Sequence, residues 1–261
     1  MSETYAIFLW LLKLGAVANL YFLLETGGRA GGATHLVLPA QILFAVSAYR
    51  CLFPVRYEDN IVFHDSAFSS IFVTRLLATF SEVAFISVLA QALRLLNLHR
   101  VGWVIALSRL MVVQVVVSQV LVWMAILTDR RELYFFEELG WALIFAANAI
   151  ASAYLYATAV TPGGRHVLLV LNLLFGAVYL PWQGFHLRFL LANARAARDR
   201  AGSQPMLPRL ATGLKRSIRE RNPRRDAESW GGMIGLTWMT AYWATLIPMW
   251  VYYLVEVLGS R

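Results

Sequence analysis

A row of ionisable and amide side chains stands where a chain of this composition should hold almost none. Arg75, Thr79 and Glu82 are spaced i, i+4 and i+7, so on a helix they fall along one face. Arg109, Glu138, Gln183, His186 and Lys13 interrupt other apolar runs. A central Arg, Lys or Asp in a membrane helix costs about 2.5–3.5 kcal/mol on insertion scales. Such groups must therefore be buried against one another or against water. The chemistry open to them is the passage of a small polar or charged solute. Arg75, Glu82, Arg109 and Glu138 would line the path or lock its conformation, with Gln183, His186 and Lys13 beside them in a cavity open to the cytoplasm. The plainer reading is structural, with Arg75 paired to Glu138 and Arg109 to Glu82. Both readings need these side chains to face inward.

His64, Asp65 and His186 offer a different chemistry. They would serve as acid, base or metal ligands of an intramembrane enzyme that takes a lipid-like substrate from the cytoplasmic leaflet. Catalytic zinc takes three clustered protein ligands, and this set would have to converge from distant segments. There is no His-x-x-x-His or His-Glu-x-x-His spacing. Ser66, Ser69 and Ser70 lie beside His64 and Asp65, but sequence adjacency at a helix start is poor evidence for a triad. The single cysteine, Cys51, excludes an intrachain disulfide and a cysteine metal cluster. The last apolar run holds no lysine for a retinal Schiff base, facing histidines for haem are lacking, and no glycine-rich phosphate loop precedes a βαβ unit. No cofactor is read from the chain.

The elements that must position these residues are apolar runs. Hydrophobic residues make up 59% of the 261 positions and charged ones 15%. They gather into seven stretches, about 5–24, 34–53, 68–97, 101–127, 134–160, 165–193 and 232–257. About 20 apolar residues cross the roughly 30 Å hydrocarbon layer, and a single span must be a helix to satisfy its own backbone. The expectation is an all-α polytopic integral membrane protein, a seven-transmembrane-helix bundle forming one domain over 1–261. The first run has no basic leader and no small-residue cleavage site, which reads as a retained helix. Gly27, Gly28, Gly31 and Gly32 mark the turn after it. Segment 54–67 is polar and aromatic, expected to lie against the inner membrane face or to admit a solute, with Asp65 or Ser66 capping the third helix. Pro181 and Pro248 should bend the sixth and seventh helices. The alanines of the fifth mark a central packing helix.

Charge sets the orientation. Between Arg195 and Arg225 lie ten basic residues and two acidic ones, a retention signal for the cytoplasmic side. Seven crossings then put the N-terminus in the cytoplasm and the C-terminus outside. Within this 194–229 segment, Leu207, Leu210, Leu214 and Ile218 share a helical face while Arg209, Lys215, Arg216 and Arg219 fall off it. This is a short amphipathic surface helix attracted to anionic lipid; no nucleic-acid partner is expected. Arg50, ending the second helix, is placed to snorkel to the headgroups. Only Lys13 and Lys215 are lysines among 23 basic residues, a codon bias that favours a bacterial inner membrane. A third reading makes the chain a receptor-like scaffold or subunit. Its homo- or hetero-oligomeric partners would pack on the small residues of helix five or on Gly231–Gly235.

Overall fold

In the computed structural model the protein is all-α, 84% helical, and among the described residues six helices are long and apolar enough to cross a membrane. It is an integral multi-pass membrane protein. The structure describes residues 2–28, 34–159, 163–198 and 206–259. The glycines at 31 and 32, and 199–205 of the basic segment, lie outside the described residues. The six long apolar stretches are His35–Leu52, Ile71–Leu96, Gly102–Thr128, Glu132–Thr158, Gly164–Ala192 and Gly235–Gly259. The first helix, α1 (Ser2–Gly27), has 26 residues and carries Lys13, Asn19 and Glu25 among apolar residues. The remaining helices are α2 (Thr34–Leu52), α3 (Ile71–Leu96), α4 (Gly102–Thr128), α5 (Glu132–Thr158), α6 (Gly164–Arg198), α7 (Met206–Arg219), α8 (Gly232–Met239) and α9 (Leu246–Gly259), with a π-helical turn at Thr240–Ala244.

The chain forms two compact units, Met1–Phe85 with Leu214–Arg261, and Ile86–Gly213. In the first, α1 and α2 run antiparallel, as Gly15 meets Cys51, Phe22 meets Phe44, and Gly27 meets Gln41. The last helical segments pack on both. Phe22 stacks on Tyr252 with centroids 4.6 Å apart. On the other side, α1 leaves Leu11, Leu14, Val17 and Leu24 exposed.

Segment 54–67 contributes two short strands. Strand β1 (Val55–Arg56) pairs antiparallel with β2 (Ile61–Val62), and β2 pairs parallel with β3 (Asn222–Pro223). The turn between β1 and β2 takes Asp59 and Asn60 through positive φ, a region these residue types tolerate better than most. Val55, Ile61, Val62 and Phe63 are buried. Their apolar side chains thus have a protein partner and do not need the lipid. The cap of α3 differs from expectation. A short 3₁₀ turn at Ala67–Ser69 intervenes, and Ser70 is the residue whose Oγ accepts the Val73 amide, at 3.3 Å.

In the second unit α5 packs on both α4 and α6, the central place its small residues imply. A Cβ on Gly140 would lie 2.2 Å from Ser118 Oγ, and one on Gly176 would lie 2.9 Å from Ala149 Cβ. The small residues of α5 are therefore used to bring α4 and α6 close within the chain. Asn97 closes the turn between α3 and α4, its side chain accepting the Val101 amide at 2.9 Å and donating to the Val101 carbonyl at 3.0 Å. Helix α6 runs unbroken through Pro181. The Gly231–Gly235 pair serves the chain's own turn: Gly231 caps α8 at φ 81°, and a Cβ on Gly235 would lie 2.1 Å from the Trp230 carbonyl oxygen.

Candidate functional site

Two turns of α3 carry an ion pair along one face. Arg75 Nη2 donates to Glu82 Oε2 at 2.8 Å and Nη1 to Oε1 at 3.3 Å. Seven residues span about 10 Å of helix, a distance the long arginine covers. Both residues are buried, at 2% and 6% exposure. Thr79, between them, donates to the Arg75 carbonyl at 3.0 Å. The predicted shared face is real, and along it Arg75 pairs with Glu82 on its own helix, a pairing the sequence analysis does not propose. A fork-on-carboxylate pair of this kind is the strong form of the interaction.

Arg75 also lies against an aromatic ring. Its guanidinium carbon is 5.4 Å from the Tyr57 centroid, and the guanidinium of Arg50 is 5.1 Å from the same ring. Arg50 does not snorkel. It is 6% exposed, donates to the Tyr57 hydroxyl at 2.9 Å and to the Val55 carbonyl at 3.3 Å, and lies 4.8 Å from the Trp243 centroid. The β1–β2 turn folds Tyr57 over the end of α2 and so encloses the guanidinium.

His64 and Asp65 point away from metal chemistry. The Lys13 ammonium lies 2.9 Å from His64 Nε2, which fixes that nitrogen as the acceptor because an ammonium can only donate. Partial burial first, then the positive charges of Lys13 and Arg225, hold the His64 imidazole below its ordinary pKa. Asp65 is exposed and accepts from Arg221 Nε at 2.9 Å. The proposed zinc set of His64, Asp65 and His186 is corrected on these two members: one faces an ammonium and the other a guanidinium. Among the described residues no three His, Cys, Asp or Glu side chains gather as a metal site. The neighbouring serines are occupied locally, Ser66 Oγ standing 3.5 Å from Ser69 Oγ.

The last apolar stretch is broken within its length. Thr245 N bonds back five residues to the Thr240 carbonyl at 3.0 Å, and Thr245 sits at φ −132°, ψ −83°. Pro248 fits this break. In a continuous α-helix its ring would strike the Ala244 carbonyl. The chain restarts at Leu246, so Pro248 falls in the first turn of α9, where an amide donor is not needed. The break frees the Trp243 carbonyl. Asn19 Nδ2 donates to it at 2.9 Å, and also to the Gly15 carbonyl at 2.7 Å. The Cys51 thiol approaches the Trp243 carbonyl at 3.4 Å. Gly15 makes the approach possible, since a Cβ there would lie 2.4 Å from Ala244 Cβ.

In the second unit Gln183 Nε2 donates to both the Glu138 carboxylate at 2.7 Å and the Glu138 carbonyl at 2.8 Å. His186 Nε2 is 4.0 Å from the other carboxylate oxygen, and its ring stacks on Trp182 with centroids 5.1 Å apart. Buried amides continue the polar seam between α5 and α6: Asn172 donates to Ser152 at 3.0 Å, and Asn148 is 1% exposed. Arg109 does not join them. It is exposed on α4, contrary to the inward placement both readings assumed. Seven residues past the helix start it is about 10 Å from that end, within reach of the headgroups for a side chain with a long apolar stem.

Neither Asn19 nor Tyr57 is among the candidate residues drawn from the sequence. Asn19 carried a usable signal: an amide in an apolar run needs a partner, and the proline-broken helix supplies one. Tyr57 and Arg50 carried none, because the β turn that joins them has no periodic signature. No protein-family model matches the chain, and no curated protein or solved structure is significantly similar to it.

Proposed function

We propose that this protein crosses the membrane seven times and carries or conducts a small polar or charged solute. The observation that supports transport most is the broken last helix. Irregular backbone inside the hydrocarbon layer is tolerated where it is buried in protein or lines a cavity, and discontinuous helices are where transporters commonly build their binding sites. Here the freed Trp243 carbonyl is met by Asn19 of α1 and Cys51 of α2, so three segments converge on the break. The Arg75–Glu82 pair and the Lys13–His64 contact belong to the same unit as the break. Glu138, Gln183 and His186 form a second polar group along α5 and α6.

The seventh crossing is α1, whose exposed Leu11, Leu14, Val17 and Leu24 suit acyl chains. The basic segment supports an N-terminus in the cytoplasm. Helix α7 packs through Gly213, where a Cβ would lie 1.9 Å from the Leu127 carbonyl oxygen. Its Leu207, Leu214 and Ile218 are exposed, which suits a helix lying in the headgroup region of anionic lipid. The enzyme reading keeps only the Glu138–His186 contact, since His64 and Asp65 are otherwise engaged.

Purified protein in sealed vesicles tests transport. Flux of potassium salts of chloride, phosphate, acetate and succinate is followed by stopped-flow light scattering. At least one solute should pass faster than through protein-free vesicles. Gly15→Leu, which wedges α1 from the break, should slow it about tenfold, the effect of a barrier raised by about 1.4 kcal/mol. Folded protein that passes none of these solutes above the protein-free rate contradicts the reading.

A further inference from the structure

Arg50 is the buried cation that the transport reading does not use. It is 6% exposed. Among the described residues no carboxylate pairs with it; its polar contacts are the Tyr57 hydroxyl at 2.9 Å and the Val55 carbonyl at 3.3 Å, and its Nε has no hydrogen-bond partner. A charge removed from water without an answering charge is strongly unfavourable. The surroundings add positive charge, for the Arg75 guanidinium lies on the ring that Arg50 also touches, and Glu82 is already engaged with Arg75.

One edge of the guanidinium is short of acceptors. The Arg50 guanidinium carbon lies 5.1 Å from the Tyr57 ring centroid and 4.8 Å from that of Trp243. The edge carrying Nη1 is taken by Tyr57. The edge carrying Nε and Nη2 holds an unpartnered donor and one long contact to Val55. That edge is the fork that receives a carboxylate or phosphate with two parallel hydrogen bonds. The Tyr57 oxygen accepts from Arg50, which leaves its own proton to donate to a further ligand oxygen.

We propose that the Arg50 fork, walled by Tyr57 and Trp243, binds an oxyanion, a carboxylate or phosphate group, at the inner end of α2. The group belongs either to a free solute or to a lipid headgroup. The site deepens the transport reading by assigning its solute a negative charge, and rests on that reading only for the step from binding to passage. Trp243 links the two, because its ring walls the anion and its carbonyl belongs to the broken helix.

Inorganic phosphate is the probe. Protein in uncharged detergent is titrated with phosphate while its thermal midpoint and its binding heat are followed. Wild type should bind and be stabilised. Arg50→Lys keeps the charge and loses the fork, and should weaken binding at least about tenfold. Tyr57→Phe, which removes only the hydroxyl and leaves the charge buried as before, should weaken it measurably and keeps the test valid if Arg50→Lys misfolds. Arg221→Gln, at the surface pair with Asp65, should bind as wild type. A second arm compares nanodiscs of phosphatidylcholine with nanodiscs containing phosphatidylglycerol. Stabilisation by the anionic lipid alone, lost in the same two variants, assigns the occupant as a headgroup. Stabilisation by neither, or by either one equally in wild type, Arg50→Lys and Tyr57→Phe, overturns the site. Phosphate binding without flux of any tested salt keeps the site and removes the transport reading. Flux without phosphate or lipid binding does the reverse.

Discussion

A cation held out of water needs an answering charge or acceptor, and Arg75 and Lys13 meet that demand in different ways. Arg75 reaches two turns along its own helix to Glu82. Lys13 uses an imidazole nitrogen and the faces of Trp10 and Phe63, at 4.9 and 5.7 Å. That arrangement makes His64 sensitive to pH. Its imidazole, packed against Phe53 and Phe63 and facing Lys13 and Arg225, is held below the usual value of about 6.5. The folded state thus binds this proton less readily than the unfolded one. Its contribution to stability is full above the unfolded pKa and is lost as pH falls through the depressed folded value. Thermal midpoints in detergent should therefore fall more steeply between pH 7 and pH 5 for wild type than for His64→Asn; parallel acid limbs would contradict the contact. The shared face of Arg75, Thr79 and Glu82 was legible in the sequence because helical period alone fixes it. The pairing was not, because spacing cannot say whether a long arginine bends along its helix or reaches across to another. Arg109 was misplaced for a related reason: depth in an apolar run does not say which side of the helix a residue occupies.

At the scale of the element, the interrupted last helix sets what its neighbours must supply. Pro248 marks the helix as unable to continue in register, and that much is readable from one residue. The position of the irregularity is not, because the ladder changes at 240–245, ahead of the proline, where α1 and α2 can satisfy the freed carbonyl. Gly15, Asn19 and Cys51 are thus one device on two helices: close approach, a donor, and a small thiol. Asn19→Leu removes the donor and leaves the Trp243 carbonyl buried. It should cost about 1–3 kcal/mol, the penalty for an unsatisfied buried polar group. Unfolding in a graded mixture of mild detergent and dodecyl sulfate measures it, and an Asn19→Leu protein as stable as wild type would show that the amide does not hold the break. The short strands were beyond sequence reading for another reason. β1, β2 and β3 have two residues each, too few for any alternation, and β3 comes from a segment far along the chain.

For the whole molecule, composition and run length carry the argument. Among the described residues the seven apolar stretches of the sequence fall on helices, the last of them interrupted, and six helices there have the length and apolarity needed to cross a membrane. The helix bounds follow from the runs because a span in lipid has no alternative to a helix. Outward-facing apolar rows, such as Leu110, Val113, Val117 and Val120 on α4 and Leu171, Leu174 and Val178 on α6, are tolerable only against acyl chains or a partner. The exposed stripe of α7 belongs with them: Leu207 is 79% exposed beside a strongly basic segment. If α1 is the seventh crossing, an odd count separates the two termini. The most direct test is substituted-cysteine labelling in intact cells, with Cys51 first replaced by Ala and single cysteines placed at Ser2, Lys215 and Gly259. A membrane-impermeant maleimide should label Gly259→Cys from outside, and label Ser2→Cys and Lys215→Cys only after the cells are opened. Labelling of Ser2→Cys and Gly259→Cys from the same side would mean an even number of crossings and would contradict the account.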